Sequence, residues 1–309
     1  MERLTIIGCG TMGHSIALNA AWAGISVQLH GISQSDLRLA DAGIQSKLDV
    51  LIKNELLQET DRAVIMNRIQ VTTSVKDAVS TATFVIEAIP ENMELKQELF
   101  KHLDTLCDDT VILASNTSGL SPAAIASVMQ YPQRFVVTHF WNPAHLTPLV
   151  EVLRHEKTTD AVMERVLTLL DQMHKKTIEV KKEIPGFVGN RLQAALLREA
   201  QFLLEEGVAS KEDIDAAVVY GIGRRLPVTG PLASADMGGL DIFAAISDYL
   251  FQDLSNATGA FPTLKKLVAA QKFGIKSGEG YYQWNTAFAE MMNTKRETEL
   301  IRFMKADLK

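Results

Sequence analysis

Two stretches of this 309-residue chain combine residue types and spacings that suit chemistry. The first is Gly8-x-Gly10-x-x-Gly13, set between the apolar run Leu4-Thr5-Ile6-Ile7 and an alanine-rich segment, Ser15 to Ala23. This is the spacing of a dinucleotide-binding turn: one glycine for the tight turn, one for backbone approach to a pyrophosphate, one for close helix–strand packing. Thr11 and Met12 fill the variable positions and belong to the same expected cofactor contact. The helix that follows would present free amides and its positive dipole end to the phosphates. The second stretch runs from residue 113 to 151. His139 falls at the end of a predicted strand, Asn142-Pro143 turns the chain, and Glu151 lies on the next strand. A chain that doubles back there can bring the carboxylate to the far nitrogen of the imidazole. Such a pair raises the basicity of histidine and fixes its tautomer. A lone histidine on a strand is most often structural. One followed by a turn and a returning glutamate, with hydroxyls upstream, is a candidate general base.

At the end of the second strand a NAD-binding fold carries an acidic residue for the adenosine ribose. This chain reads His30-Gly31-Ile32-Ser33, with Gly31 in the place of the acid. Asp36 lies further on, where it is expected to cap a helix, and Arg38 is a turn or more away. Two alternatives stay open: NAD with a weaker ribose contact, helped by Ser33, or tolerance of NADP. The missing basic partner for a 2′-phosphate favours NAD.

These residues need elements to hold them. Leu4–Ile7, the glycine turn, the helix to Ala23 and a strand over Ile25–His30 give strand–turn–helix–strand in about thirty residues. Residues 34–66 read as helical and amphipathic, a long helical excursion before the sheet resumes, with Leu37, Ile44, Leu48, Leu51, Ile52 and Leu56 at helical spacing. Strands at Ile69–Thr72, Thr83–Ala88, Thr110–Ser115 and Phe135–His139 alternate with helices at Lys76–Ser80, Met93–Cys107 and Pro122–Met129. That alternation predicts a mostly parallel sheet. A strand at Leu149–Leu153, a helix near 159–173 and a strand at Thr177–Val180 complete it. Beyond Pro185-Gly186 the pattern is helical, over 187–207, 211–221, 239–255 and 262–272. The expected fold is α/β: a Rossmann-type dinucleotide-binding domain over 1–184, then an all-α substrate and dimerisation domain over 185–309.

Composition narrows the function. Apolar residues make up 47% and charged residues 22%, the balance of a globular domain. A net charge of −6 gives no basic field for nucleic acid or an anionic membrane surface. No apolar run approaches a membrane span of about 20 residues, and Met1-Glu2-Arg3 leads straight into a strand, without a signal-peptide pattern. Two cysteines, Cys9 and Cys107, supply neither a disulfide framework nor a cysteine-rich metal site, so no metal is expected. A cytoplasmic location is expected.

The ordered motifs resemble those of the 3-hydroxyacyl-CoA dehydrogenases along nearly the whole chain. They are the glycine turn, Glu87-Ala88-Ile89-Pro90-Glu91-Asn92 with Lys96, Ser115-Asn116-Thr117-Ser118, His139-Phe140-Trp141-Asn142-Pro143 and Leu149-Val150-Glu151-Val152. They continue with Pro185-Gly186-Phe187-Val188-Gly189-Asn190-Arg191, Gly230-Pro231 with Asp236 and Gly239-Leu240-Asp241, and Lys276-Ser277-Gly278-Glu279-Gly280-Tyr281-Tyr282. The resemblance implies His139 as the base that takes the hydroxyl proton while hydride leaves for nicotinamide, and Glu151 as its partner. It implies Ser118 and Asn190 as the groups holding the substrate oxygen, and Glu91, Lys96, Asn142 and Lys276 around the nicotinamide half of NAD. It also implies a homodimer paired through the helical domain. Coenzyme A phosphates would meet Lys47, or Lys53 beside Asn54; each is equally a solvated helix-face charge. Gly119 stands where many members carry a second serine. Trp141 is either a wall of the acyl channel or a core aromatic. The expected substrate is a short-chain L-3-hydroxyacyl-CoA; relatives that oxidise free hydroxy acids or sugar acids share the catalytic set. A non-catalytic dinucleotide-binding protein would not require Ser118, His139, Glu151 and Asn190 together.

Overall fold

The structure, a computed structural model, describes residues 2–307. It divides into two compact units, one of residues 2–190 with 295–307 and one of residues 191–294.

In the first unit β1 (Arg3–Ile7), α1 (Thr11–Trp22) and β2 (Ser26–His30) form the opening crossover. There follow α2 (Gln34–Lys53), α3 (Glu59–Asn67), β3 (Ile69–Thr72), α4 (Val75–Val79), β4 (Phe84–Glu87), α5 (Met93–Leu106), β5 (Ile112–Ser115) and α6 (Pro122–Ala126). Then come β6 (Phe135–Phe140), β7 (Leu149–Arg154), α7 (Asp160–Gln172) and β8 (Lys176–Glu179). The eight strands lie in the order β3-β2-β1-β4-β5-β6-β7-β8. All neighbours are parallel except β6 and β7. The strands β4, β5 and β6 are buried throughout, as expected of sheet strands covered by helices on both faces. Leu4, Ile6, Ile86, Ala114 and Val136 feed one core, on the side of α1 and α2; Ile7, Val85, Leu113, Val137 and Leu153 feed the other, beneath α5 and α6. The strand order reverses between β1 and β4, so their carboxyl ends open a crevice, the usual place for a ligand in such sheets.

The α/β reading holds, and the helical excursion after β2 is made of two helices. At its end α2 closes in a Schellman arrangement: Leu56 N–H bonds Leu51 O at 2.9 Å, Glu55 N–H bonds Ile52 O at 2.9 Å, and Glu55 takes the left-handed turn at φ +60°. Glycine normally signals such a stop, and here there is none.

A helix α8 (Gly189–Glu205) leads into the second unit, which contains α9 (Lys211–Tyr220), α10 (Pro231–Gly238), α11 (Leu240–Leu250) and α12 (Pro262–Ala269). The last helix, α13 (Thr286–Asp307), ends in the first unit, where Ile301 is buried and Leu300 and Met304 pack on the α1 side of the core. The described turns of α13 from Lys295 on thus group with the sheet.

Candidate active site

The glycine turn sits at the mouth of the crevice. A methyl group at Gly13 would stand 1.7 Å from the Gly8 carbonyl oxygen, so helix and turn approach closer than any side chain allows. Gly10 caps α1 with no side-chain bond, leaving the first-turn amides, those of Thr11 and Met12 among them, for an anion. A cavity of about 480 Å³ opens here, lined by the turn from Gly8 to Met12, by Ile89 and Pro90 beyond β4, and by Ile32, Asp36 and Leu39. Ile32 and Leu39 are exposed and give it an apolar flank for an adenine. These residues fit the adenosine and pyrophosphate of a dinucleotide.

Gly31 is buried, and a Cβ there would lie 2.7 Å from Cys9 Sγ and 2.8 Å from Leu37 Cδ2. The acid usual at this position has no room. Asp36 lines the same cavity from the first turn of α2. Its Oδ2 accepts from Ser33 N at 3.1 Å and from Ser33 Oγ at 2.7 Å, so it does cap the helix, and its charge faces Cys9. Burial, then Asp36, push the Cys9 thiol above its usual range.

The antiparallel pairing of β6 with β7 sets His139 directly opposite Glu151. His139 Nδ1 bonds Glu151 Oε2 at 2.8 Å. Glu151 Oε1 accepts the backbone N–H of Val188 at 2.9 Å and of Gly189 at 3.0 Å, and Trp141 Nε1 donates to Oε2 at 3.2 Å. Burial pushes the Glu151 carboxyl up, but the bonds from His139, Gly189 and Val188 outweigh it and hold the group below the usual carboxylate range. The carboxylate stays ionised, and a proton on the Nδ1 that faces it leaves Nε2 with its lone pair.

Beside this pair stands a second polar cluster. Glu91 Oε1 accepts from Thr117 Oγ1 at 2.6 Å and from Ser118 N at 2.8 Å, and Asn190 Nδ2 donates to Ser118 O at 2.9 Å. Ser118 itself is exposed. Asn116 Oδ1 accepts from Phe140 N at 2.8 Å, tying the loop that carries Ser118 to the end of β6 beside His139. Lys96 is buried, pairing with Glu87 and lying 3.3 Å from Glu91 Oε2. Burial raises the Glu87 carboxyl despite Lys96 and Ser115. Lys96 therefore helps to hold Glu91 in place.

Asn142 is exposed at the turn after β6. Lys276 is exposed on a loop of the second unit, tied by the bridges of Glu279 to Gly274 and Gln283. Of the two lysines considered for coenzyme A, Lys47 is taken up by His14, Nζ to Nε2 at 2.8 Å, and by Gly43 O; Lys53 is exposed at the end of α2. Sequence reasoning missed the bond from Trp141, the amides of Val188 and Gly189 on Glu151, and the place of Asp36 in the cavity. The only signals were a Trp two residues after the His, the Phe-Val-Gly run before Asn190, and an acid five residues past Gly31. Among the described residues no group of histidines, cysteines and carboxylates could hold a metal.

Comparison with known proteins agrees with this geometry. Residues 3–184 match the NAD binding domain of 3-hydroxyacyl-CoA dehydrogenase, and residues 186–284 match its C-terminal domain. A 5-formyl-3-hydroxy-2-methylpyridine 4-carboxylate 5-dehydrogenase of Mesorhizobium japonicum is 35% identical over 97% of this chain and 96% of its own. A probable 3-hydroxybutyryl-CoA dehydrogenase of Bacillus subtilis is 37% identical over 92% of this chain and 98% of its own. The crystal structure of a 5-dehydrogenase for the same pyridine carboxylate, described as an NAD+ dependent dismutase, superposes with a TM-score of 0.92. It is 34% identical, and the match covers 99% of this chain and 98% of that one. The chain belongs to the 3-hydroxyacyl-CoA dehydrogenase family and binds NAD in its N-terminal domain.

Proposed function

We propose that this NAD-dependent oxidoreductase interconverts a short-chain L-3-hydroxyacyl-CoA and the 3-oxoacyl-CoA, with His139 as general base and acid. The observation that carries the chemistry is the His139–Glu151 pair, 2.8 Å apart on adjacent strands. NAD supplies the hydride acceptor when bound. His139 Nε2 takes the hydroxyl proton in oxidation and returns it in reduction. Glu151 stabilises the imidazolium that forms and keeps the ring oriented. Ser118 Oγ and the amide of Asn190 orient the oxygen whose charge changes. Glu91, positioned by Lys96 and Thr117, borders the nicotinamide, as does Asn142. Asp36 and the absence of lysine or arginine from the cavity lining support NAD over NADP.

A second reading, oxidation or reduction of a small free acid without coenzyme A, is favoured by Lys47. Its ammonium is engaged by His14 and by Gly43 O, which leaves fewer of its donors for a CoA phosphate. The likeness to the pyridine-carboxylate dehydrogenase runs the same way. The subunit is proposed to pair with a second copy in the cytoplasm. The second unit exposes Val228, Leu232 and Met237, which are 86, 83 and 79% accessible, and a helical interface would cover such side chains.

Absorbance at 340 nm decides between the substrates. Acetoacetyl-CoA is offered with NADH and with NADPH, and 5-formyl-3-hydroxy-2-methylpyridine-4-carboxylate with NAD and with NADH. Oxidation of NADH by acetoacetyl-CoA supports the acyl-CoA reading. Turnover of the pyridine aldehyde alone replaces it with the free-acid reading, and silence in every well removes both. Light scattering at twice 34.0 kDa would support the dimer.

A further inference from the structure

We propose that Trp141 is a positioning residue that sets how strongly Glu151 holds a proton on His139, by sharing the carboxylate oxygen on which the histidine rests. Both Nδ1 of His139 and Nε1 of Trp141 address Oε2, at 2.8 and 3.2 Å. Oε1 is taken by the two amides of Val188 and Gly189. A carboxylate wholly removed from solvent thus has four donors, and only one of them can become charged. Each neutral donor draws negative charge away from the histidine.

The indole is held where it can do this. A Cβ on Gly189 would lie 2.3 Å from Trp141 Cζ2, so the ring lies against the bare backbone where α8 begins. The imidazole of His139 is 5.7 Å from the Trp141 ring and 5.7 Å from Phe187, centroid to centroid. A phenyl group would satisfy the apolar part of this packing, but only an indole brings an N–H to Oε2. The groups facing the pair are Trp141 from the turn after β6, Phe187 and the Val188 amide just before α8, the Gly189 amide at its start, and Ile178 opposite Glu151 on β8. His139 is the one charge-bearing group acting on Glu151 among the described residues.

In alcohol oxidation the histidine must be unprotonated, and in carbonyl reduction protonated. Removing the indole N–H concentrates the carboxylate's charge on His139, so the imidazolium persists to higher pH. Loss of one neutral hydrogen bond corresponds to a change of about half a pH unit.

The experiment uses Trp141→Phe and a variant carrying 3-benzothienylalanine at 141, which keeps the bicyclic shape but lacks the N–H. Carbon-13 NMR of histidine-labelled full-length protein, with the His139 signal assigned by its loss in His139→Asn, follows its titration. The expected result is an upward move of the His139 midpoint of about half a pH unit in both variants. A midpoint that stays or falls in the benzothienyl variant overturns the proposal. The catalytic role rests on the dehydrogenase reading, and kcat/KM against pH tests it separately. The acid limb of oxidation and the alkaline limb of reduction should both move upward. A uniform drop in rate with both limbs in place overturns the catalytic role. A shifted NMR midpoint in a protein that turns over none of the substrates leaves the positioning intact and removes the dehydrogenase reading instead.

Discussion

His139 and Glu151 meet because two antiparallel strands joined by a short turn put them opposite each other. Their neighbours then make the pair sensitive to small changes. In Glu151→Gln the amide oxygen still satisfies Val188 and Gly189, but its NH2 faces Nδ1 and forces the imidazole proton to Nε2, the wrong tautomer for a base. Turnover should fall by about 10²–10⁴, with NADH binding by fluorescence unchanged. An enzyme that keeps wild-type kcat would remove His139 as the base. Gly31 makes a second residue-scale case. Restoring the usual ribose acid as Gly31→Asp should not tighten NADH. It should destabilise the protein by about 1–3 kcal/mol, because Cys9 Sγ and Leu37 Cδ2 fill the space. Urea unfolding checks this, and Cys9→Ala added to Gly31→Asp should recover part of the loss. A single variant as stable as wild type would show that the neighbours yield freely. The histidine–glutamate pair was legible because it depends on a local return of the chain. The amides and the indole that complete Glu151 were not, since Val188 and Gly189 arrive from 37 and 38 residues away and a hydrogen-bonding Trp reads like any core aromatic.

At the scale of elements, α2 shows where pattern reading succeeds and where it stops. Of its buried stripe, Leu37, Ile44, Leu48 and Leu51 were visible as helical spacing. Its end was not, because the left-handed residue that closes it is Glu55 rather than a glycine. Its beginning has a double use: Asp36 closes a capping box with Ser33 and presents a carboxylate to the cavity of the glycine turn. Asp36→Asn keeps an oxygen for the Ser33 amide but loses the charge. If that carboxylate meets the adenosine ribose, NADH should bind up to about tenfold more weakly, about 1.4 kcal/mol, while NADPH, relieved of repulsion, gains. Fluorescence titration of both nucleotides reads the ratio. Equal weakening of both would assign Asp36 to helix capping alone. The alternation of strands and helices was legible throughout the sheet, because parallel strands are apolar on both faces and the helices between them on one. The short α10 and the return of α13 to the sheet were not. α10 is eight residues long, and the association of α13 depends on a long-range contact of Leu300, Ile301 and Met304.

For the whole molecule, the pH dependence of stability should carry the mark of Lys175. Its ammonium is buried and donates to the carbonyls of Ala144 and Thr147, in the turn that follows Asn142 and Pro143, and among the described residues no carboxylate is bonded to it. Burial pushes the amine down to about 7, from 10.5. Between those values the unfolded chain holds a proton that the folded protein has released, so folding grows more favourable as pH rises through the window. Below about 7 the proton is bound in both states, and the burial of the charge weighs on stability in full. His145, pushed down to about 3 by burial and then by Lys47, Lys175 and His14, acts in a lower window and does not overlap. Burial also pushes Lys47 down and the two buried thiols up, which is why the comparison must be a difference between two proteins. In Lys175→Met the charge is gone along with the two hydrogen bonds. Thermal unfolding of wild type and variant from pH 7 to pH 10 should show the wild type gaining on the variant by a few kcal/mol at most, since each tenfold loss of proton affinity on folding is worth about 1.4 kcal/mol. A constant gap would mean that Lys175 stays charged in the fold. Its tie to Ala144 and Thr147 would then be an ordinary ammonium contact, and the turn beside the candidate active site would owe nothing to a neutral amine.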